Sequence, residues 1–229
     1  KYYDLHENPC TKAGSMGKSH AEEMNFWTKA EFEQFIVAVQ DKPASYTAFM
    51  TLYYTGMRVG ELCALTPADV NLVGHTITIN KTFQRINGRD VIWPPKTPKS
   101  NRVVTIPQTL ANCLKEYMDK CYEIQPDDRL FPYTKSFLNH EMLRGCKKSG
   151  VKKIRVHDLR HSHAILLIEM GCQPLLIADR LGHEKIQTTL NTYSHLYPNK
   201  QAEVAAQLEN VMNGTTVPNG SQMAGVANL

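Results

Sequence analysis

The chain has 229 residues, 42% hydrophobic and 21% charged, with 26 Lys and Arg against 22 Asp and Glu and a formal net charge of +4. These values exclude a disordered or low-complexity chain and suit a domain that buries a core without staples. No apolar run reaches the roughly 20 residues of a membrane-spanning helix, and the six cysteines form no Cys-x-x-Cys pair, so reduced thiols are expected rather than a disulfide framework or a zinc site.

Residues 1–24 read as a linker, mixing Pro, Gly, Ser and charge without a hydrophobic period. The chain starts at Lys1 rather than Met, so a piece of a longer protein is expected. Gly14, Gly17, Lys18 and Ser19 only faintly imitate a phosphate-binding loop, because Lys12 stands where the first glycine belongs and no strand precedes it. A helix then opens at Thr28, which forms a capping box with Glu31 and leads an apolar stripe of Phe32, Phe35, Ile36 and Val39. Pro43 separates it from a second helix over about 45–55, and a third, short helix after Thr55-Gly56 carries Arg58, Leu62 and Leu65.

From Gly74 to Pro107 the β-branched runs Thr76–Ile79 and Arg102–Ile106, with a turn at Asn87-Gly88, predict a small antiparallel sheet of two or three strands. Lys96 falls on its last turn or strand. The remainder reads as helices over about 108–122, 136–149, 157–171, 174–181, 186–193 and 199–211, interrupted at Leu130-Phe131-Pro132. The expected architecture is α+β and mostly α-helical. Its main domain spans 25–197, a C-terminal helix 198–212, and a flexible tail 213–229.

Charge is concentrated where Arg144, Lys147, Lys148, Lys152, Lys153, Arg155 and Arg160 face one acid, Asp158. Such a run attracts polyanions, although a solvated face has the same composition. Three polar clusters interrupt the helical patterns: Thr55-Gly56-Met57-Arg58-Val59-Gly60-Glu61-Leu62, His157-Asp158-Leu159-Arg160-His161-Ser162, and Leu181-Gly182-His183 followed by Asn191-Thr192-Tyr193. An arginine at a helix start can face an anion, and His157 and Arg160, three apart on a helix, would share a face. Alone, each has an ordinary structural explanation. His183-Glu184 is not the start of His-Glu-x-x-His, because Gln187 stands at the second ligand position.

Together and in this order the clusters resemble the signature of the tyrosine recombinase family, and Lys96-Thr97 ahead of Arg102–Pro107 resembles that family's hairpin lysine. The texture is most similar to integrases of conjugative transposons and related phages, over residues 25–197. The resemblance implies a site-specific DNA recombinase that cuts and rejoins strands through a covalent 3′-phosphotyrosine, for integration and excision of a mobile element. Tyr193 would be the nucleophile. Arg58, Arg160 and His183 would hold the phosphate, His157 would take the tyrosine proton or bind phosphate, and Lys96 would protonate the leaving 5′ oxygen. Lys99, Arg102, Lys152, Lys153 and Arg155 are the expected contacts to the DNA backbone.

The resemblance further implies no ATP, metal or other cofactor. The partners are double-stranded DNA, other copies in a dimer or tetramer on it, and accessory DNA-bending or excision factors. The place of action is the bacterial cytoplasm, at the nucleoid. A DNA-core-binding domain would precede residues 1–24. The C-terminal helix, with Ala202, Val204, Ala205, Leu208, Val211 and Met212 on its apolar side, would dock on a neighbouring subunit or pack within its own. Two other readings share the fold: a DNA-binding module without activity, against which the intact residue set speaks, and a topoisomerase of type IB, which uses the same pocket.

Overall fold

The computed structural model describes residues 24–95, 97–197 and the single positions 205, 209 and 212. Three helices open the fold: α1 Lys29–Ala38, α2 Pro43–Thr55 and α3 Val59–Ala64. Five strands follow: β1 Val70–Asn71, β2 Thr76–Ile79, β3 Thr82–Ile86, β4 Arg89–Trp93 and β5 Arg102–Thr105. Five more helices complete it: α4 Gln108–Asp119, α5 Lys135–Ser149, α6 Leu159–Glu169, α7 Pro174–Leu181 and α8 Ile186–Tyr193.

The capping box at Thr28 forms as its sequence requires. The Glu31 carboxylate accepts from the Thr28 N–H at 2.8 Å, and Thr28 Oγ1 accepts from the Glu31 N–H at 3.3 Å. The stripe that follows turns inward, where Phe32 stacks on Tyr53 at 3.7 Å and Phe35 meets Phe49 edge-on at 5.0 Å. The second helix, α2, is buried nearly all round. Its hydroxyls are satisfied within the helix, with Thr51 donating to the Thr47 carbonyl at 2.7 Å and Thr55 to that of Thr51 at 2.6 Å. It packs on both α4 and α6 and so forms the axis of the main core.

The strands make two antiparallel sheets rather than one: β1-β2-β5, and a separate hairpin of β3 and β4. In the first, Ile77 pairs with Val104, and both side chains are buried. Because β5 takes the free side of β2, β3 and β4 pair only with each other. Asn87 and Gly88 close that hairpin with φ of 50° and 77°, the left-handed values a tight hairpin turn demands.

Helix bounds lie near those the pattern predicts, with Arg58 and Leu65 falling just outside α3 as its extended caps and a further departure around His157. There the expected helix start is a 3₁₀ turn, Val156–Asp158, and α6 begins at Leu159. The Asp158 carboxylate accepts from the Arg155 N–H at 2.9 Å and closes that turn. A second, smaller core of Ala164, Ile168, Ile177, Leu181 and Tyr193 lies where α6, α7 and α8 meet. Apart from Met24, which packs against this small core, the expected linker falls outside the described residues, as do the tail and most of the C-terminal helix. Of its apolar set, Ala205 and Met212 are described, and both are helical and exposed.

Candidate active site

Arg58 owes its position to Gly56. That residue ends α2 with φ of 66°, and a Cβ there would lie 2.5 Å from His163 Cδ2. The chain turns and re-enters helix at α3, with Arg58 as its extended N-cap. The Glu61 carboxylate accepts from both the backbone N–H and the guanidinium of Arg58, each at 2.8 Å. From the other side it accepts from both terminal nitrogens of Arg102, at 3.2 and 2.8 Å. Burial opposes ionisation of Glu61, but the hydrogen bonds and charge of Arg102, with those of Arg58, outweigh it and hold the carboxyl below its ordinary value.

This arrangement corrects one expectation. Arg102 is not presented to DNA: its side chain is 6% exposed. Its Nε donates to the Arg180 carbonyl at 2.9 Å and its Nη1 to the Ser100 carbonyl at 3.1 Å. It ties β5, α3 and the end of α7 together and braces Glu61, which in turn braces Arg58.

Arg160 is also buried, 5% exposed, at the start of α6. It donates to the Gly56 carbonyl at 2.8 Å and the Leu181 carbonyl at 2.6 Å, spanning the ends of α2 and α7. Burial and the neighbouring Arg58 lower its pKa, yet a guanidinium so placed stays charged at neutral pH. After Leu181 the chain leaves α7 through Gly182, at φ of 69°, and reaches His183. The His183 Nδ1 lies 2.8 Å from Thr189 Oγ1. Burial and then Arg160, Arg58 and Arg102 push its pKa down to about 4, so the ring is neutral at pH 7. Where Nδ1 accepts from the Thr189 hydroxyl, the neutral ring carries its proton on Nε2.

Arg58, His157 and His183 converge on one cleft of about 660 Å³, which Lys81, Lys135 and Thr97 also border. The sequence reading missed Lys81 and Lys135. Lys81 is paired with Asp69 at 2.6 Å. His157 projects from the 3₁₀ turn and not from a helical face; burial, with Arg160 and Arg58, lowers its pKa. Thr97 borders the cleft, and Lys96 beside it lies outside the described residues.

Neither Arg160 nor Tyr193 is among the residues bordering the cleft. Tyr193 ends α8 with 1% exposure, its ring within the small core. Its hydroxyl lies 2.7 Å from Nδ1 of His161. Burial raises its pKa to about 12, against the opposing pull of Arg160, so the phenol is protonated at rest. His161 was legible only as the residue after Arg160; its link to Tyr193 spans 32 residues, and no local pattern reveals it.

The basic run from Arg144 to Arg160 does not form one surface. Arg144 and Lys148 are held by Asp41, and Arg144 also by Glu141. Lys99 and Lys153 are exposed. Lys152 lies 3.4 Å from Glu31, and Arg155, with 78% of its side chain exposed, is hydrogen-bonded to Asp158.

The cleft thus joins cationic donors to neutral imidazoles, a setting suited to holding an anion. Residues 25–200 match the phage integrase family, and the chain belongs to that family. It is 33% identical to the ICEBs1 integrase of Bacillus subtilis over 91% of this chain and 60% of that protein. It is 34% identical to the integrase of Staphylococcus phage L54a over 69% of this chain and 49% of that one. The chain thus spans between half and about three-fifths of these relatives. Among solved structures, the Tn1549 transposon integrase in complex with circular intermediate DNA superposes with a TM-score of 0.69, at 22% identity over 83% of this chain and 68% of that one. The catalytic domain of bacteriophage HP1 integrase superposes at 0.59, at 21% identity over 85% of this chain and all of that one.

Proposed function

We propose that this chain is the catalytic part of a site-specific DNA recombinase that integrates and excises a mobile element. The convergence of Arg58, His157 and His183 on one cleft, with Arg160 and Tyr193 packed behind it, carries the reading. Membership of the family and the integrase relatives support it.

A DNA phosphodiester entering the cleft is anionic, and in-line attack adds charge to its non-bridging oxygens. Arg58 is braced for that charge by the carboxylate of Glu61, which fixes the guanidinium without neutralising the whole cluster. Arg160 is charged and held on two carbonyls; it does not border the cleft in this structure, and its remaining donors would turn to the phosphate when DNA is bound. His183 is neutral with Nδ1 engaged and adds an Nε2–H donor. Removing one such preorganised donor typically costs about 10²–10³ in rate. Tyr193 gives its phenol proton to an imidazole of the site and attacks phosphorus, its O–P bond forms, and the bond to the 5′ oxygen breaks. Lys96 gives that oxygen a proton. The product is a 3′-phosphotyrosine and a free 5′ hydroxyl, and attack by a 5′ hydroxyl of another strand reverses the step.

The exposed Lys99, Lys152, Lys153 and Arg155 are candidate backbone contacts. Two or four copies would act together on DNA in the bacterial cytoplasm, with the C-terminal helix reaching a neighbour and accessory factors bending the duplex. Strand exchange is the test. The full-length protein is mixed with two duplexes carrying the joined ends of the element that encodes it. Recombinant strands of hybrid length support the proposal. Relaxation of supercoiled plasmid without exchange favours a topoisomerase, and DNA binding without cleavage an inactive module.

A further inference from the structure

We propose that His161 accepts the proton of Tyr193 when the tyrosine attacks, a role that rests on the recombinase reading above. Three observations carry it. First, it is His161, rather than His157, that the hydroxyl meets, at 2.7 Å from Nδ1, a good hydrogen-bond distance for a hydroxyl. Second, the position is built. Tyr193 is held by the small core of α6, α7 and α8, and His161 stands on the first turn of α6, directly after Arg160. Third, His161 meets His157 edge to face at 5.8 Å, and His157 borders the cleft, so a row of three rings runs from the cleft to the nucleophile.

The surroundings set the protonation state. Burial, then the proximity of His157, lowers the pKa of His161, and Arg160 and Arg155 act in the same direction, while Asp158 opposes them. From the facing elements come Tyr193 on α8 and His183 beyond α7, whose charge is coupled to that of His161. His161 is therefore neutral at pH 7, and its Nδ1 can receive a proton. Tyr193 is protonated and cannot attack without losing one. In the step, the Tyr193 O–H bond breaks and its proton passes to His161 Nδ1. The phenol oxygen bonds to phosphorus, and the 5′ oxygen departs with a proton from Lys96. On rejoining, His161 returns the proton to the phenol.

The test uses His161→Asn in the full-length protein. The asparagine Oδ1 lies near the position of Nδ1 and can accept the hydrogen bond, but it cannot hold the proton. Single-turnover cleavage of a nicked duplex carrying an element end is followed on a denaturing gel between pH 5 and 8. The unsubstituted enzyme should lose rate on the acid side, at a pH lower than the ordinary imidazole range, as His161 becomes protonated. His161→Asn should bind DNA as before, cleave about 10²–10⁴-fold more slowly, and lack the acid limb that His161 contributes. A 5′-bridging phosphorothiolate, whose sulfur leaves without a proton, should not restore it. His161→Gln carries the same comparison if the Asn variant does not fold. Cleavage at the unsubstituted rate with an unchanged pH profile would overturn the proposal. So would faster cleavage, which would make His161 a restraint on Tyr193, or rescue by the phosphorothiolate, which would place its action on the leaving side. Failure of the unsubstituted protein to form any covalent complex would instead strike the recombinase reading on which the proposal stands.

Discussion

Arg102 and Glu61 meet in a buried ion pair, 2.8 Å apart with each side chain 6% exposed. The carboxylate is shared with Arg58, whose side chain is 39% exposed at the cleft. One acid thus couples an interior arginine to a surface one. The interior arginine also donates to the carbonyls of Ser100 and Arg180, so its removal takes a donor from both of these part-buried carbonyls and leaves the buried Glu61 carboxylate with Arg58 alone.

Arg102→Met should therefore destabilise the fold by about 3 kcal/mol, the scale for breaking a buried pair from one side. Urea unfolding should show a lower midpoint with an unchanged slope. Arg102→Lys should recover only part of the loss, because an ammonium cannot reproduce the forked contact to Glu61 together with the two carbonyls. A loss below about 1 kcal/mol for the Met variant, on the scale of an exposed pair, would contradict this account of Arg102.

Stability should fall as the solution is acidified below pH 6.5. His163 is 2% exposed, and its Nε2 accepts from Arg180 at 3.0 Å. Burial first, and then Arg180, pushes its pKa down to about 3 from an ordinary 6.5. Between those values the unfolded chain binds a proton that the folded one does not. The contribution of His163 is thus complete above pH 6.5 and lost as pH falls toward 3. Each such group can remove up to about 1.4 kcal/mol per pH unit. Urea midpoints at pH 7, 6, 5 and 4 should decline, and His163→Gln, which can still accept from Arg180, should decline less steeply. Equal slopes for the two proteins would remove His163 as the cause.

Much of the site was legible because its residues lie at chain breaks that sequence marks well. Gly56 and Gly182 end helices at positive φ, and Arg58 and His183 follow at short fixed offsets. The capping box at Thr28 and the Asn87-Gly88 turn are likewise local and formed as read. What escaped was non-local. Whether an arginine faces water or a buried carboxylate depends on packing across many residues: Arg102 and Glu61 are 41 apart. The basic run from Arg144 to Arg160 looked uniform, yet Asp41, over 100 positions earlier, holds two of its members. His157 left its expected helix because Asp158 closes a 3₁₀ turn on Arg155, a capping interaction that the helical spacing of His157 and Arg160 concealed.

Whether Tyr193 is the nucleophile is decided by the identity of the residue joined to DNA. The full-length protein is incubated with a nicked duplex carrying an element end, in buffer containing a metal chelator, and covalent complexes are digested and sequenced by mass spectrometry. The account predicts a nucleotide linked through its 3′ phosphate to Tyr193, and no complex with Tyr193→Phe. A nucleotide on any other residue, or an undiminished complex in the Phe variant, would contradict it.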